Sequence, residues 1–118
     1  MRRMLWIVLA VVAVIGAGVF GASQAAQPTR LRIVNGLSQW DIHRVYISPA
    51  SSESWGPDRL DPDQILRPGQ SEMWTLDPGT YDLRVQDEDE DTYTRRNVCI
   101  PARMTTEWTV TTDDIDAK

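Results

Sequence analysis

The sequence predicts an all-β chain, a small antiparallel β-sandwich of about six or seven short strands behind an N-terminal signal-peptide helix. Three observations predict it. Apolar and polar residues alternate with a period of two, most clearly where Tyr81, Leu83 and Val85 interleave with Asp82, Arg84 and Gln86. Turn residues recur between such runs, as Pro68-Gly69, Pro78-Gly79 and Asn35-Gly36. No helical period continues past residue 25, so the remaining chain can bury an apolar face only by packing sheet on sheet.

The first 25 residues read as a signal peptide. Met1 to Met4 form a short basic start, Leu5 to Phe20 carry no charge, and Gly21 to Ala26 are mostly small. Cleavage after Ala25 places Ser23 and Ala25 at the two small-residue positions of the cleavage site. The competing reading is an uncleaved anchor, because Leu5 to Ala22 is 18 residues, at the lower edge of a bilayer span. Under either reading Arg2 and Arg3 hold the N-terminus inside and the rest is exported, periplasmic or extracellular, or anchored facing outward. The division is therefore 1–25 signal peptide or anchor, 26–112 sandwich, and 113–118 acidic tail.

The first strand places Leu31 and Ile33 between Arg30, Arg32 and Val34 and stops at Asn35-Gly36, where the untidy run that follows favours a loop over a two-residue hairpin. Ile42 to Ser48 is the second strand, rich in β-branched and aromatic residues. Pro49 to Ser54 is a polar surface loop. Trp55, Leu60, Ile65 and Leu66 are expected to pin a crossover in which Asp58 and Asp61 start single turns too short to be independent helices.

Gln70 to Leu76 and Thr80 to Gln86 are the third and fourth strands. Both Pro-Gly pairs are expected as type II turns, and Pro78-Gly79 as a corner between antiparallel strands. Asp87 to Asp91 is a wholly acidic turn. Thr92 to Ile100 is the fifth strand. The sixth turns Met104, Thr106, Trp108 and Val110 to the apolar side. Asp113 to Lys118 is expected to fray.

Composition narrows the function classes. Removing Arg2 and Arg3 from 12 basic residues leaves 10 against 17 acidic ones, a net charge of −7. Lys118 is the sole lysine. Such a surface argues against nucleic acid or anionic lipid as partner, and leaves the membrane a role only through residues 5–22 if they are uncleaved. Cys99 is the single cysteine, so no internal disulfide is possible, and between Val98 and Ile100 it is expected to be buried. Aromatic burial must therefore hold the domain, with Trp74 and Trp108 expected in the core.

The run Leu76 to Val85, L-x-P-G-x-Y-D-L-R-V, resembles a corner of prealbumin-like and carboxypeptidase-regulatory-like β-sandwich modules. Asn35-Gly36, Val45 to Pro49, Trp55-Gly56-x-Asp58-x-Leu60, Pro68-Gly69 and Tyr81 to Arg84 together resemble small exported bacterial proteins of unknown function. The resemblance spans roughly residues 31–98 and implies a sandwich fold and export, with no activity attached. The acidic turn departs from that pattern, which often has Asp-Gly there.

Candidate chemistry is sparse. Asp87, Asp89 and Asp91 begin like a calcium loop, yet the glycine position of an EF-hand is Thr92 and its bidentate glutamate position is Val98, so an EF-hand is excluded. A looser Ca2+ site on these three residues remains the one cofactor reading, set against a solvated hairpin tip that blunts edge pairing. His43 is the only histidine; a triad drawn from Ser48 or Ser54 with Asp41 lacks a nucleophile elbow, and zinc lacks further ligands. No carboxylate pair stands out for glycosidase chemistry, and a small sandwich is expected to offer little concavity. Asp82 and Arg84 are expected to pair across strands with Arg95 or Arg96. Trp40 and Trp55, in loops, and Tyr46, on the second strand, are the candidate binding residues, since flat aromatic faces present stacking surfaces. The expected function is a non-enzymatic binding module of the cell envelope with an envelope component or another exported protein as partner; a calcium-binding module is the alternative and a hydrolase a distant third.

Overall fold

A computed structural model of the chain describes residues 27–117, so the signal-peptide or anchor reading of residues 1–25 falls outside the described residues. Six strands follow in order: β1 (Arg30–Asn35), β2 (Ile42–Pro49), β3 (Ser71–Thr75), β4 (Gly79–Asp87), β5 (Thr92–Ile100) and β6 (Thr105–Val110), then a 3₁₀ turn at Thr112–Asp114. They form two three-stranded sheets, β3-β1-β6 and β2-β4-β5. The small β-sandwich expected from the alternation is the fold.

One pairing departs from the antiparallel expectation. β1 and β6 run parallel, with Ile33 opposite Trp108 and Asn35 opposite Val110. Four of the five strand connections pass from one sheet to the other, and β4–β5 alone closes a hairpin. A parallel neighbour needs a long return path, and here β2 to β5 supply it.

The core lies between the sheets. Leu31, Ile33, Trp108 and Val110 face Val45, Ile47, Leu83, Val85, Tyr93 and Ile100, and Leu37, Leu60 and Leu66 close the ends. Trp74 packs half-buried against this cluster. Burying so many large side chains removes water from most of their apolar surface at about 25 cal/mol per Å², which replaces the missing disulfide.

Asn35 explains the Asn-Gly pair without a hairpin. Its fully buried amide donates to the Trp40 and Leu66 carbonyls at 2.8 and 2.9 Å, and its oxygen accepts from Leu37 N–H at 2.8 Å. Gly36 is needed because a Cβ there would come 2.7 Å from the Val110 carbonyl oxygen. The loop expected at this point is therefore built by a buried side chain and a close backbone approach.

One of the two Pro-Gly turns is as expected, and several other local expectations are corrected. Gly69 has φ 86 and Gln70 N–H donates to Arg67 O, the type II turn expected at Pro68-Gly69. Gly79 has no positive φ; it already pairs with Ile100, and Pro78 ends a passage between sheets instead of making a corner within one. Ile65, expected to pin the crossover, and Met104, expected on the apolar side of the sixth strand, are exposed, while Leu60 and Leu66 do the pinning.

Cys99 is exposed as well. Tyr81 pairs with Val98 but Leu83 with Arg95, so Arg96 and Asn97 together oppose Asp82. This β-bulge inserts one residue and reverses the inward phase of β5, turning Val98 and Ile100 to the core and Cys99 to solvent. Asn97 takes φ 57 at the bulge, and Asp82 Oδ1 accepts its N–H at 2.9 Å.

The acidic segment after β6 does not fray. Thr111 and Asp114 form a capping box around the 3₁₀ turn. Trp108 Nε1 donates to Asp114 Oδ2 at 3.1 Å, and Arg95 pairs with Asp114 Oδ1 at 3.2 Å. Ile115 then bridges antiparallel to Tyr93.

Candidate functional site

The outer face of the β2-β4-β5 sheet carries three cross-strand rows. Arg44, Gln86 and Thr92 form one, Tyr46, Arg84 and Thr94 the next, and Ser48 with Asp82 the third, where Arg96 pairs. Position in the pleat sets these rows, because the odd-numbered residues of β4 face the core and leave Asp82, Arg84 and Gln86 outside. A further bulge at His43 brings both Ile42 and Val45 inward and turns Tyr46 out beside Arg84.

Trp55 lies over the middle of this face. The Arg84 guanidinium sits 4.4 Å from its ring centroid and the Arg96 guanidinium 5.3 Å away. Each such cation–π contact at a partly exposed site is worth about 0.5–1 kcal/mol. The loop that delivers Trp55 is ordered by its serines: Ser48 Oγ donates to Ser54 O at 2.7 Å, and Ser54 Oγ accepts from Gly56 N–H at 3.1 Å. Gly56 takes φ 74, a conformation that glycine adopts without strain. Asp58 completes the delivery by accepting Val45 N–H and Leu60 N–H through Oδ1, which caps the β2 edge in place of the helical turn expected there.

Two hollows flank the indole. One of about 320 Å³ is lined by Tyr46, Trp55, Arg84, Gln86 and Thr92. The other, of about 180 Å³, is lined by Ser48, Ser54, Trp55, Asp82 and Arg96 among others. An open groove of about 910 Å³ runs alongside, past His43, Arg44, Asp58, Asp63, Glu88 and Glu90. The face is thus more concave than a plain sandwich leads one to expect. Asp82 and Arg96 form the expected cross-strand pair at 3.1 Å, and Arg84 pairs instead with Asp116 at 3.8 Å.

The structure brings Tyr46 and Trp55 together and leaves Trp40 elsewhere. Trp40 packs against the core beside the acidic turn, where its Nε1 donates to Asp89 Oδ2 at 3.0 Å. The turn itself is organised by Asp87, which points inward and is buried. Its Oδ1 accepts the N–H groups of Asp89 and Asp91 at 2.9 and 3.0 Å, and its Oδ2 accepts the Tyr93 hydroxyl at 2.7 Å. A cation bound at Asp87 would have to displace those donors. Among the described residues no group of three or more His, Cys, Asp or Glu side chains is arranged to hold a metal ion. Burial first, then the Asp87 hydrogen bond and the nearby Asp87, Asp91 and Asp89 charges, push the Tyr93 hydroxyl well above its ordinary range. His43 is exposed at its bulge, and Ser48 is committed to the Ser54 carbonyl.

Sequence reasoning missed two participants. Arg96 follows Thr92 and Thr94 on the outer face, but its contact with Trp55 depends on the loop that folds back over the sheet, which no alternation shows. Asp116 lies in the segment expected to fray, although the Thr111-x-x-Asp114 capping pattern marks an ordered turn just before it.

No family model and no curated protein matches this chain. Its fold is similar to that of an NMR structure of a protein from Eubacterium rectale, with a TM-score of 0.53 at 14% identity over 80% of this chain and 90% of the other. That likeness concerns the fold alone.

Proposed function

We propose that this is an exported, non-enzymatic β-sandwich that works by binding, using the outer face of the β2-β4-β5 sheet to hold a component of the cell envelope or another exported protein. One observation carries the reading: Trp55 lies against two guanidiniums on the solvent side of the sheet, at the border of two hollows. A tryptophan stacked by Arg84 and Arg96, with Tyr46 beside it, combines the residue types that concentrate binding energy at interfaces. Export is supported by the basic, apolar and small-residue order of the first 26 residues.

The test immobilises the protein and passes envelope extract over the wild type, Trp55→Ala and Trp40→Ala, with folding checked by circular dichroism. Trp55→Ala is expected to stay folded and lose partners that the wild type and Trp40→Ala both retain. If folded Trp55→Ala retains every partner, this face is not the binding surface.

A further inference from the structure

The chain already seats a short acidic segment against this face. Asp116 Oδ2 accepts the hydroxyls of Thr92 and Thr94 at 2.7 and 2.5 Å and lies 3.8 Å from Arg84 Nη2. Thr94 Oγ1 in turn accepts from Arg84 Nε at 2.9 Å, which fixes the guanidinium under Trp55. The backbone joins in: Ile115 bridges antiparallel to Tyr93, and Asp116 N–H donates to Thr92 O at 2.8 Å. These contacts are those of a peptide strand added to the β5 edge, with one carboxylate received by two hydroxyls and an arginine. Little apolar burial holds the segment, because Ile115 itself is 45% exposed.

We infer that the β5 edge, with Arg84, Thr92 and Thr94, is a receptor for an extended acidic peptide of a partner protein, and that residues 115–117 occupy it in cis. The inference rests on the binding reading above and names its ligand class. A partner peptide presents an aspartate or glutamate where Asp116 now sits, pairs its backbone with Thr92, and continues toward Tyr46 and Trp55, which line the adjoining hollow. The segment in cis acts as a competitor whose effective concentration is set by the short link from β6. It therefore lowers the apparent affinity for any peptide supplied in trans until it is displaced. Arg84 is the shared element, since it touches both the indole and the carboxylate.

The test uses a fluorescent peptide with the sequence of residues 112–117 and measures anisotropy with the full chain. Asp116→Asn is expected to bind it at least about tenfold more tightly than the wild type, because the competing carboxylate is gone. Adding Arg84→Gln to that variant is expected to return binding to the wild-type level or below. In the wild type, excess peptide is expected to raise hydrogen exchange at the Asp116 amide, a readout that does not depend on any variant folding. Equal affinity of wild type and Asp116→Asn with no change in Asp116 exchange overturns the inference. So does binding of a uronate oligomer in place of the peptide, which would assign the carboxylate receptor to a polysaccharide. If Trp55→Ala loses its envelope partners while the peptide fails, the binding surface stands and only the ligand class falls.

Discussion

Replacing Asp87 by alanine tests whether the acidic turn is a structural device or a ligand cage. Asp87 is 2% exposed and its carboxylate receives three donors, two turn amides and the Tyr93 hydroxyl. Tyr93 is 1% exposed, so its orphaned hydroxyl has no water to turn to and costs about 1–3 kcal/mol. The two amides lie nearer the rim, where water replaces the lost acceptor, and each costs about 0.5–1 kcal/mol. Removing a buried charge gives some of this back, which leaves a net loss of about 3 kcal/mol. Asp87→Asn keeps the oxygen for the amides and lets the Tyr93 hydroxyl turn to accept, so it should cost only about 1 kcal/mol. Equilibrium urea unfolding reads both as a shift in midpoint at unchanged slope. A loss below about 1 kcal/mol for Asp87→Ala would refute the reasoning. So would a wild-type midpoint that climbs with millimolar calcium while that of Asp87→Asn does not, because ligand stabilisation confined to the intact carboxylate would make Asp87 a metal ligand.

Three further outcomes follow from the geometry. Gly36→Ala should destabilise by about 1–3 kcal/mol, since its Cβ would meet the backbone oxygen of Val110 at 2.7 Å and Thr109 Cγ2 at 2.8 Å; thermal melting checks it. Glu90→Gly should stabilise by about 0.5–1 kcal/mol, because Glu90 holds φ 69 in the hairpin position that favours glycine, and the relief exceeds the entropy glycine adds to the unfolded chain. The hydroxyl of Tyr93 titrates higher folded than its ordinary 10.0 unfolded, so its contribution is complete below pH 10 and fades as pH rises above it. Unfolding free energy should thus fall by up to about 1.4 kcal/mol per pH unit above pH 10, and Tyr93→Phe should lose that part of the slope.

Much of the fold is legible in the sequence because period-two alternation reports directly on a half-buried strand. All six strands lie within a residue or two of where alternation and turn residues place them. Pairing was harder, since neighbours in sequence need not be neighbours in space. Pro78-Gly79 looks like a corner, yet β3 and β4 belong to different sheets, and the parallel β1–β6 pair leaves no mark in either strand. Cys99 misled because one inserted residue at Asn97 reverses the phase of every position after it. Tyr46 and Trp55 were legible as candidate aromatics, one on the second strand and one in the loop after it. Their meeting with Arg84 and Arg96 was not, because it depends on how a serine-tied loop folds back over the sheet.

The most direct measurement compares urea unfolding of Trp55→Ala and Trp108→Ala side by side. Trp108 is 1% exposed in the core, and its loss should cost about 3–5 kcal/mol. Trp55 contributes two cation–π contacts on a solvent face, so its loss should cost no more than about 2 kcal/mol and leave a cooperative transition. A Trp55→Ala protein as destabilised as Trp108→Ala would mean that the indole belongs to the structural core and that the outer face was never set aside for binding.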